Sequence, residues 1–306
     1  MTTTKEDTSR VTSPDPLSVG DHVVNLNGVD IHYRVDGNGP LLFLVSPGWG
    51  IGSGYMQRGF KFLQKRFRLV FVDTRGSGLS GRPTDSAQMS SDNMADDLEA
   101  LREHLRLATI QLLGHSNSGA IALSYATRYP KNVAKLVLID SQLLGFSAGG
   151  DTQTFLEARA DDRRFKAAVR AAISYFSGNA KPFANDGDLS TFVAEVLPLY
   201  LYRPERKLAL AQEHLLVGQI SLYAFEAQNS ADRASGRNQT TLLGQVVAPV
   251  LITVGRHDWI CPVSVSERIH AGIPHSRLVT FEESGHMPWL EEHEKFSLEL
   301  MQFLES

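Results

Sequence analysis

The sequence predicts an α/β architecture: a mostly parallel sheet with helices on both faces, interrupted once by an inserted run of helices. Three observations predict it. Short apolar, β-rich runs alternate with amphipathic helical stretches from about residue 21 to residue 140. Between about residues 141 and 244 helical spacing continues but no convincing strand occurs. From Val250 to the C-terminus the alternation resumes and completes the sheet. Strand and helix in alternation imply parallel strands joined by covering helices.

The elements follow in order. His22 to Leu26 and Val29 to Val35 flank Asn27-Gly28, a strong hairpin signal. Leu41 to Val45 is a continuous apolar run, as a strand buried on both faces requires, and it ends at Ser46-Pro47-Gly48-Trp49-Gly50. Tyr55 to Phe67 has helical spacing. Arg68 to Val72 is again strand-like and leads into Asp73 and the glycine-rich Arg75-Gly76-Ser77-Gly78. Met94, Leu98, Leu101 and Leu105 recur every three or four residues, which places an amphipathic helix over Asn93 to Leu107. Ile110 to Leu113 reads as a strand, Gly119 to Tyr129 as a helix of small residues, and Val133 to Ile139 as the next strand.

In the insert the clearest helical stretches are Phe155 to Phe176, Phe192 to Tyr202 with a break at Pro198, Arg206 to Val217, and Leu222 to Gln228. Val250 to Val254, Val263 to Ala271, Leu278 to Phe281 and Trp289 to Leu304 then read as strand, helix, strand and helix. Pro249 just before the first of these strands is tolerated there, because no ladder hydrogen bond is lost. This gives a disordered tail at 1–20, rich in Thr, Ser, Asp and Pro, an α/β core at 21–140 and 245–306, and a helical cap at 141–244. An insertion that leaves a sheet and returns to finish it suits a lid over a site.

Composition bounds the partners. The 306 residues are 42% hydrophobic and 21% charged, the balance of an ordinary globular chain, with a formal net charge of −4. No run of Lys or Arg points to nucleic acid or an anionic membrane surface, and no apolar stretch reaches the roughly 18 to 20 residues that span a bilayer. The N-terminus has no apolar signal core. A single cysteine, Cys261, excludes an intrachain disulfide and fits a reducing compartment. The cytoplasm is the expected location and a small molecule the expected partner. No phosphate-cradling glycine loop, cysteine cluster or His-Glu metal spacing is present, so the sequence implies no cofactor and no metal.

The chemistry is carried by three loops. The strand Ile110 to Leu113 runs through Gly114-His115-Ser116-Asn117-Ser118 into a helix. A serine at such a strand-to-helix turn is a nucleophile elbow: the strained turn requires small residues two before and two after it, here Gly114 and Ser118. Ser116 is the expected nucleophile, and the amide of Asn117 points toward the developing oxyanion. Ser118 is the rival, but its frame lacks glycine on the strand side. A serine hydroxyl needs a base, and His286 in Glu283-Ser284-Gly285-His286-Met287-Pro288 follows the last strand. The orienting acid belongs on a loop between the two, which favours Asp258 after Val250 to Val254 over Asp140 at the end of Val133 to Ile139. Pro47 has no N–H, so the second oxyanion donor is expected at Gly48, with Trp49 next. Trp49 and Trp259 are the expected substrate-binding residues.

Together these residues resemble the α/β-hydrolase superfamily from about residue 21 onward, and most of all its proline iminopeptidase-like branch. The resemblance rests on Ser46 to Gly50, Asp73-Thr74-Arg75-Gly76-Ser77-Gly78-Leu79-Ser80, the Ser116 elbow, Gly255 to Pro262 and Ser284 to His286. It implies acyl transfer from an ester, lactone or amide through an acyl-enzyme. The alternatives it leaves are an aminopeptidase, a carbon–carbon bond hydrolase, and a non-hydrolytic receptor or biosynthetic enzyme on the same fold. Ser116 argues against the dehalogenases and epoxide hydrolases, which carry an aspartate at the elbow. Two positions depart from the family. Ser46-Pro47 stands where members commonly have His-Gly. Trp259 stands where some aminopeptidases of this type hold the substrate amine with an acid; Glu213 or Glu226 in the insert is the substitute.

Overall fold

Alternate side chains along the central strands go to opposite faces of one sheet, which is why those strands read as unbroken apolar runs. The computed structural model describes residues 15–216, 218 and 220–306. Its strands are β1 (Gly20–Leu26), β2 (Val29–Gly37), β3 (Leu41–Val45), β4 (Arg68–Val72), β5 (Ile110–His115), β6 (Val133–Ile139), β7 (Val250–Gly255) and β8 (Ser276–Phe281). They form an eight-stranded sheet in the order β1-β2-β4-β3-β5-β6-β7-β8. The pairs β1–β2 and β2–β4 are antiparallel, and all others are parallel. The sheet and its covering helices bear out the predicted fold class.

The helices are α1 (Gly54–Gly59), α2 (Ser91–His104), α3 (Asn117–Arg128), α4 (Gly149–Arg159), α5 (Lys166–Phe176), α6 (Asp186–Val196), α7 (Pro204–Leu215), α8 (Leu222–Ser235), α9 (Val263–Gly272), α10 (Pro288–Glu291) and α11 (His293–Glu305). Phe43, Leu112, Leu136 and Ile252 join the core under α2, α3 and α9. Their chain neighbours Leu44, Leu113, Val137 and Leu251 join the core under α1, α7 and α11. Period-two alternation thus divides each strand between two cores.

Several boundaries differ from those the periodicity predicts. Phe155 to Phe176 is two helices, because the Asp162 carboxylate accepts the Arg164 N–H at 2.9 Å and closes a turn between them. The final helix is split at Glu292, whose carboxylate is drawn back to the Glu283 N–H and the Ser284 hydroxyl. The tail predicted as disordered at 1–20 lies outside the described residues up to residue 14. Beyond it, Gly20 belongs to β1 and the Tyr33 hydroxyl donates to the Pro16 carbonyl at 2.9 Å. Among the described residues no helix is long and apolar enough to cross a membrane.

Within the insert, α4 and α5 pack around Phe165, Val169 and Leu199, with Trp259 closing that cluster from the β7 loop. The last inserted helix, α8, behaves differently. Its Ala224, Ala227 and Ala231 join the main core. Asp232 accepts the Ser91 N–H at 2.7 Å and the Ser91 hydroxyl at 2.8 Å, so a carboxylate of α8 sits on the N-terminus of α2.

The motif Asp73 to Ser80 builds the loop beside the site. Buried Asp73 accepts the N–H groups of Ser53 and Leu79, and a Cβ at Gly78 would collide with its carboxylate. Arg75 forms a two-pronged buried pair with Asp97 at 2.6 and 2.7 Å. Removing one member leaves an uncompensated buried charge. Asp97→Ala should therefore lower unfolding stability by about 3–5 kcal/mol in denaturant titrations; a loss under about 1 kcal/mol, the size of an exposed pair, would show that water reaches Arg75.

Candidate active site

The C-terminal ends of β3, β5, β6 and β7 open on one edge of the sheet, where ligands of open α/β folds sit. Ser116 lies between β5 and α3 with φ 59° and ψ −125°, a conformation costly for a residue with a Cβ. Close contacts on either side of it hold the turn. A Cβ at Gly114 would collide with the Ser118 carbonyl, so the chain crosses itself closely there. The Ser118 hydroxyl donates to the His115 carbonyl and accepts the His115 N–H, both at 2.8 Å, and is fully buried. Of the two serines, Ser118 closes the turn and Ser116 is left half-exposed at the cavity wall.

The loops after β7 and β8 are laced together. His257 donates its N–H to Ser284 at 2.9 Å and Arg256 to Phe281 at 2.8 Å, while a Cβ at Gly255 would overlap the Gly285 carbonyl. This brings Asp258 to His286, with Nδ1 2.6 Å from Oδ2 and both side chains buried. Asp258 Oδ1 accepts the N–H groups of Ile260 and Cys261, closing a local turn; α9 begins later, after Pro262. The main chain of His286 is fixed by its N–H on the Tyr200 carbonyl at 2.8 Å, and Gly285 donates to Glu291 at 2.7 Å. His286 Nε2 is buried and has no hydrogen-bond partner among the described residues. It lines the same cavity as Ser116.

Asp140, the alternative acid, is fully buried at φ 45°, and its Oδ1 accepts the Gly255 N–H at 2.8 Å. Burial, with the Asp258 carboxylate beside it, holds the Asp140 carboxyl well above the usual range and favours its protonated form. His115, adjacent to the candidate nucleophile, packs on the His286 ring with centroids 4.6 Å apart. Burial, and repulsion that a second charge beside the His286 ring would meet, push its pKa well below the ordinary value, so a neutral ring faces His286. His115 Nδ1 meets the Tyr55 hydroxyl at 2.9 Å and Nε2 the His286 carbonyl at 3.0 Å. Among the described residues, one group of His, Cys, Asp and Glu has ligand atoms within 4.8 Å of one another: Asp258, Cys261 and His286. Burial pushes the Cys261 thiol up, away from the thiolate a metal prefers, and His286 already holds Asp258. That chemistry suits a proton relay better than a metal centre.

Gly48 and Trp49 both have positive φ, 69° and 51°. The Trp49 N–H donates to Gln228 Oε1 at 2.8 Å, and the Gly48 carbonyl accepts the Ile51 N–H at 2.9 Å. Trp49, the second choice as oxyanion donor, is thus engaged elsewhere, and Gly48 remains the candidate. Asn117 opens α3, where the first N–H has no partner within the helix.

The cavity holds about 810 Å³. Trp49, Phe183, Phe192, Phe225 and Trp259 contribute an aromatic wall. Half-buried Trp49 meets Phe225 edge-on at 5.6 Å, and Trp259 meets Phe176 and Tyr200 at 5.9 and 5.7 Å. Trp259 is almost wholly buried, and its Nε1 has no partner among the described residues. Lys181, Glu226 and Arg233 line the cavity and are exposed; Glu213 does not line it. His115 was legible only as a neighbour of Ser116 in its motif, Tyr55 and Tyr200 only as members of helical stretches, and Gln228 carries no local signal at all.

Residues 42–293 match the model of a family described as alpha/beta hydrolase fold. The chain is 28% identical over 294 residues to the AB hydrolase superfamily protein YclE of Bacillus subtilis, covering 92% of this chain and 98% of that one. It is 26% identical over 305 residues to the proline iminopeptidase of Saccharolobus solfataricus, covering 94% and 93%. Among solved structures, the enol-lactonase of Burkholderia xenovorans superposes with a TM-score of 0.70 at 19% identity, covering 93% of this chain and all of that one.

Proposed function

The chain belongs to the α/β-hydrolase fold family, and from that premise we propose that it is a serine hydrolase of small carbonyl compounds, acting on neutral esters or lactones through an acyl-enzyme on Ser116. One observation carries the reading: the buried His286–Asp258 pair leaves Nε2 unpartnered on the same cavity wall as the strained Ser116. Asp258 Oδ2 holds the Nδ1 proton of His286 and so leaves Nε2 as the basic nitrogen. Nε2 takes the Ser116 proton as Oγ attacks the carbonyl carbon. The N–H groups of Asn117 and Gly48 receive the oxyanion. Collapse breaks the bond to the leaving group, which takes the proton from Nε2. Water, deprotonated by the same nitrogen, then releases the acid and returns Ser116. The inserted helices act as the cap of this site.

The pocket favours an uncharged acyl group. An aminopeptidase needs an anion near the serine to pair with the substrate ammonium, since an unpaired buried charge is strongly disfavoured. The acid-following position holds Trp259, whose face would attract a cation by only about 0.5–2 kcal/mol. Glu226 is solvated, and Lys181 and Arg233 line the same cavity. Catalytic efficiency should accordingly be higher on an uncharged aryl ester than on a prolyl arylamide, after correction for the ester's intrinsic reactivity. A clear preference for the prolyl amide would replace this reading with the iminopeptidase one.

A further inference from the structure

Gln228 is fully buried on α8, more than a hundred residues from the elbow in sequence, yet it bonds to both loops that carry the candidate oxyanion donors, at Trp49 next to Gly48 and at the side chain of Asn117. Its Oε1 accepts the Trp49 N–H at 2.8 Å and its Nε2 donates to Asn117 Oδ1 at 2.6 Å. The orientation of this amide is set by its partners, because a backbone N–H requires an acceptor opposite it. The peptide joining Gly48 to Trp49 is therefore held on both sides, its N–H by Gln228 and its C=O by the Ile51 N–H. Asn117 is likewise held twice, since its Nδ2 donates to Gln142 at 2.7 Å. Gly48, at φ 69°, packs directly on this amide, and a Cβ there would run into Gln228 Oε1. Four residues on along the same face of α8, Asp232 locks the helix to the start of α2.

We propose that Gln228 is a positioning residue for the oxyanion hole, setting the Gly48 and Asn117 amides from a helix of the insert. This rests on the serine-hydrolase reading. Oxyanion stabilisation depends on donors held in place before charge develops, so loosening the clamp acts on the transition state and leaves ground-state binding alone.

Two variants test it on the full chain. Gln228→Met removes these two hydrogen bonds and a longer third one, from Nε2 to the Ser91 hydroxyl at 3.4 Å, with little change of shape. It should lower kcat by about 10- to 100-fold, somewhat less than loss of a whole donor, and leave KM within about threefold. Affinity for an aryl boronic acid, which forms a tetrahedral adduct on the serine, should fall in step with kcat. Gln228→Glu keeps the acceptor for Trp49. Ionised, it sets a negative charge beside the oxyanion; protonated, it resembles glutamine. Its activity relative to wild type should rise as pH falls, which a merely structural role would not produce. Should Gln228→Met not fold, Gln228→Glu decides alone. Wild-type kcat in both variants, a loss confined to KM, or a relative activity of Gln228→Glu that does not vary with pH overturns the proposal. Full turnover by Ser116→Ala would instead remove the serine reading itself, whatever the Gln228 variants do.

Discussion

Ser116→Ala should abolish turnover, by about 10³-fold or more, while the protein stays folded. The loss is large because the neighbouring hydroxyl of the turn cannot replace Oγ: Ser118 is buried and bonded to the main chain of His115 on both its donor and acceptor sides. The fold survives because alanine keeps the Cβ that the turn already accommodates at φ 59°, and no hydrogen bond of the Ser116 side chain supports the structure among the described residues. Ser118→Ala has the opposite profile. It removes two buried hydrogen bonds from the turn and should cost about 1–3 kcal/mol of stability, with a far smaller effect on activity. Thermal unfolding and ester turnover of the two variants separate these outcomes. A reversal, with Ser118→Ala inactive and Ser116→Ala active, would shift the elbow frame by two residues.

The second large effect concerns the acids. Asp258→Asn should reduce kcat by about 10³- to 10⁴-fold, because an amide opposite Nδ1 stabilises the wrong tautomer and withdraws the negative charge that supports an imidazolium. Asp140→Asn should do far less. The Asp140 carboxyl already favours its protonated form, which asparagine resembles in charge and shape, and an amide oxygen can still accept the Gly255 N–H. The comparison is made on kcat with one activated ester, both variants being checked for unaltered unfolding midpoints. Equal and small losses would remove Asp258 from the relay, and a larger loss from Asp140→Asn would exchange the two roles.

Much of this site was legible because each of its three loops carries a local backbone signal. Gly114 to Ser118 states a turn between a strand and a helix, and Gly255 to Asp258 and Ser284 to His286 each follow a strand end. Parallel topology then brings strand ends to one edge of the sheet without further information. What stayed hidden depends on packing at long range. Gln228 is an ordinary helical residue until α8 is laid against the β3 loop. The break at Asp162 and the split at Glu292 depend on one carboxylate choosing a main-chain partner, which no apolar periodicity records. Trp259 was read as a pocket residue and does line the cavity, yet its bulk also fills the joint between the insert and the β7 loop. Its size alone does not separate those duties.

The docking of α8 has a consequence for recombination. The insert looks like a module that a protein engineer would exchange at its sequence boundaries, near residues 141 and 244. Cut there, the donor segment brings its own α8, and the recipient loses the alanines that fill its core, the carboxylate on Ser91 and the amide on Trp49 together. A crossover placed ahead of α8, near residue 221, transfers the aromatic ceiling of α4 to α7 and leaves those three contacts with the sheet they fit. Phe183 and Phe192 of the cavity wall then come from one parent and Phe225, which stays on α8 with the Gln228 amide, from the other, and the junction between them runs through the polypeptide just before Leu222.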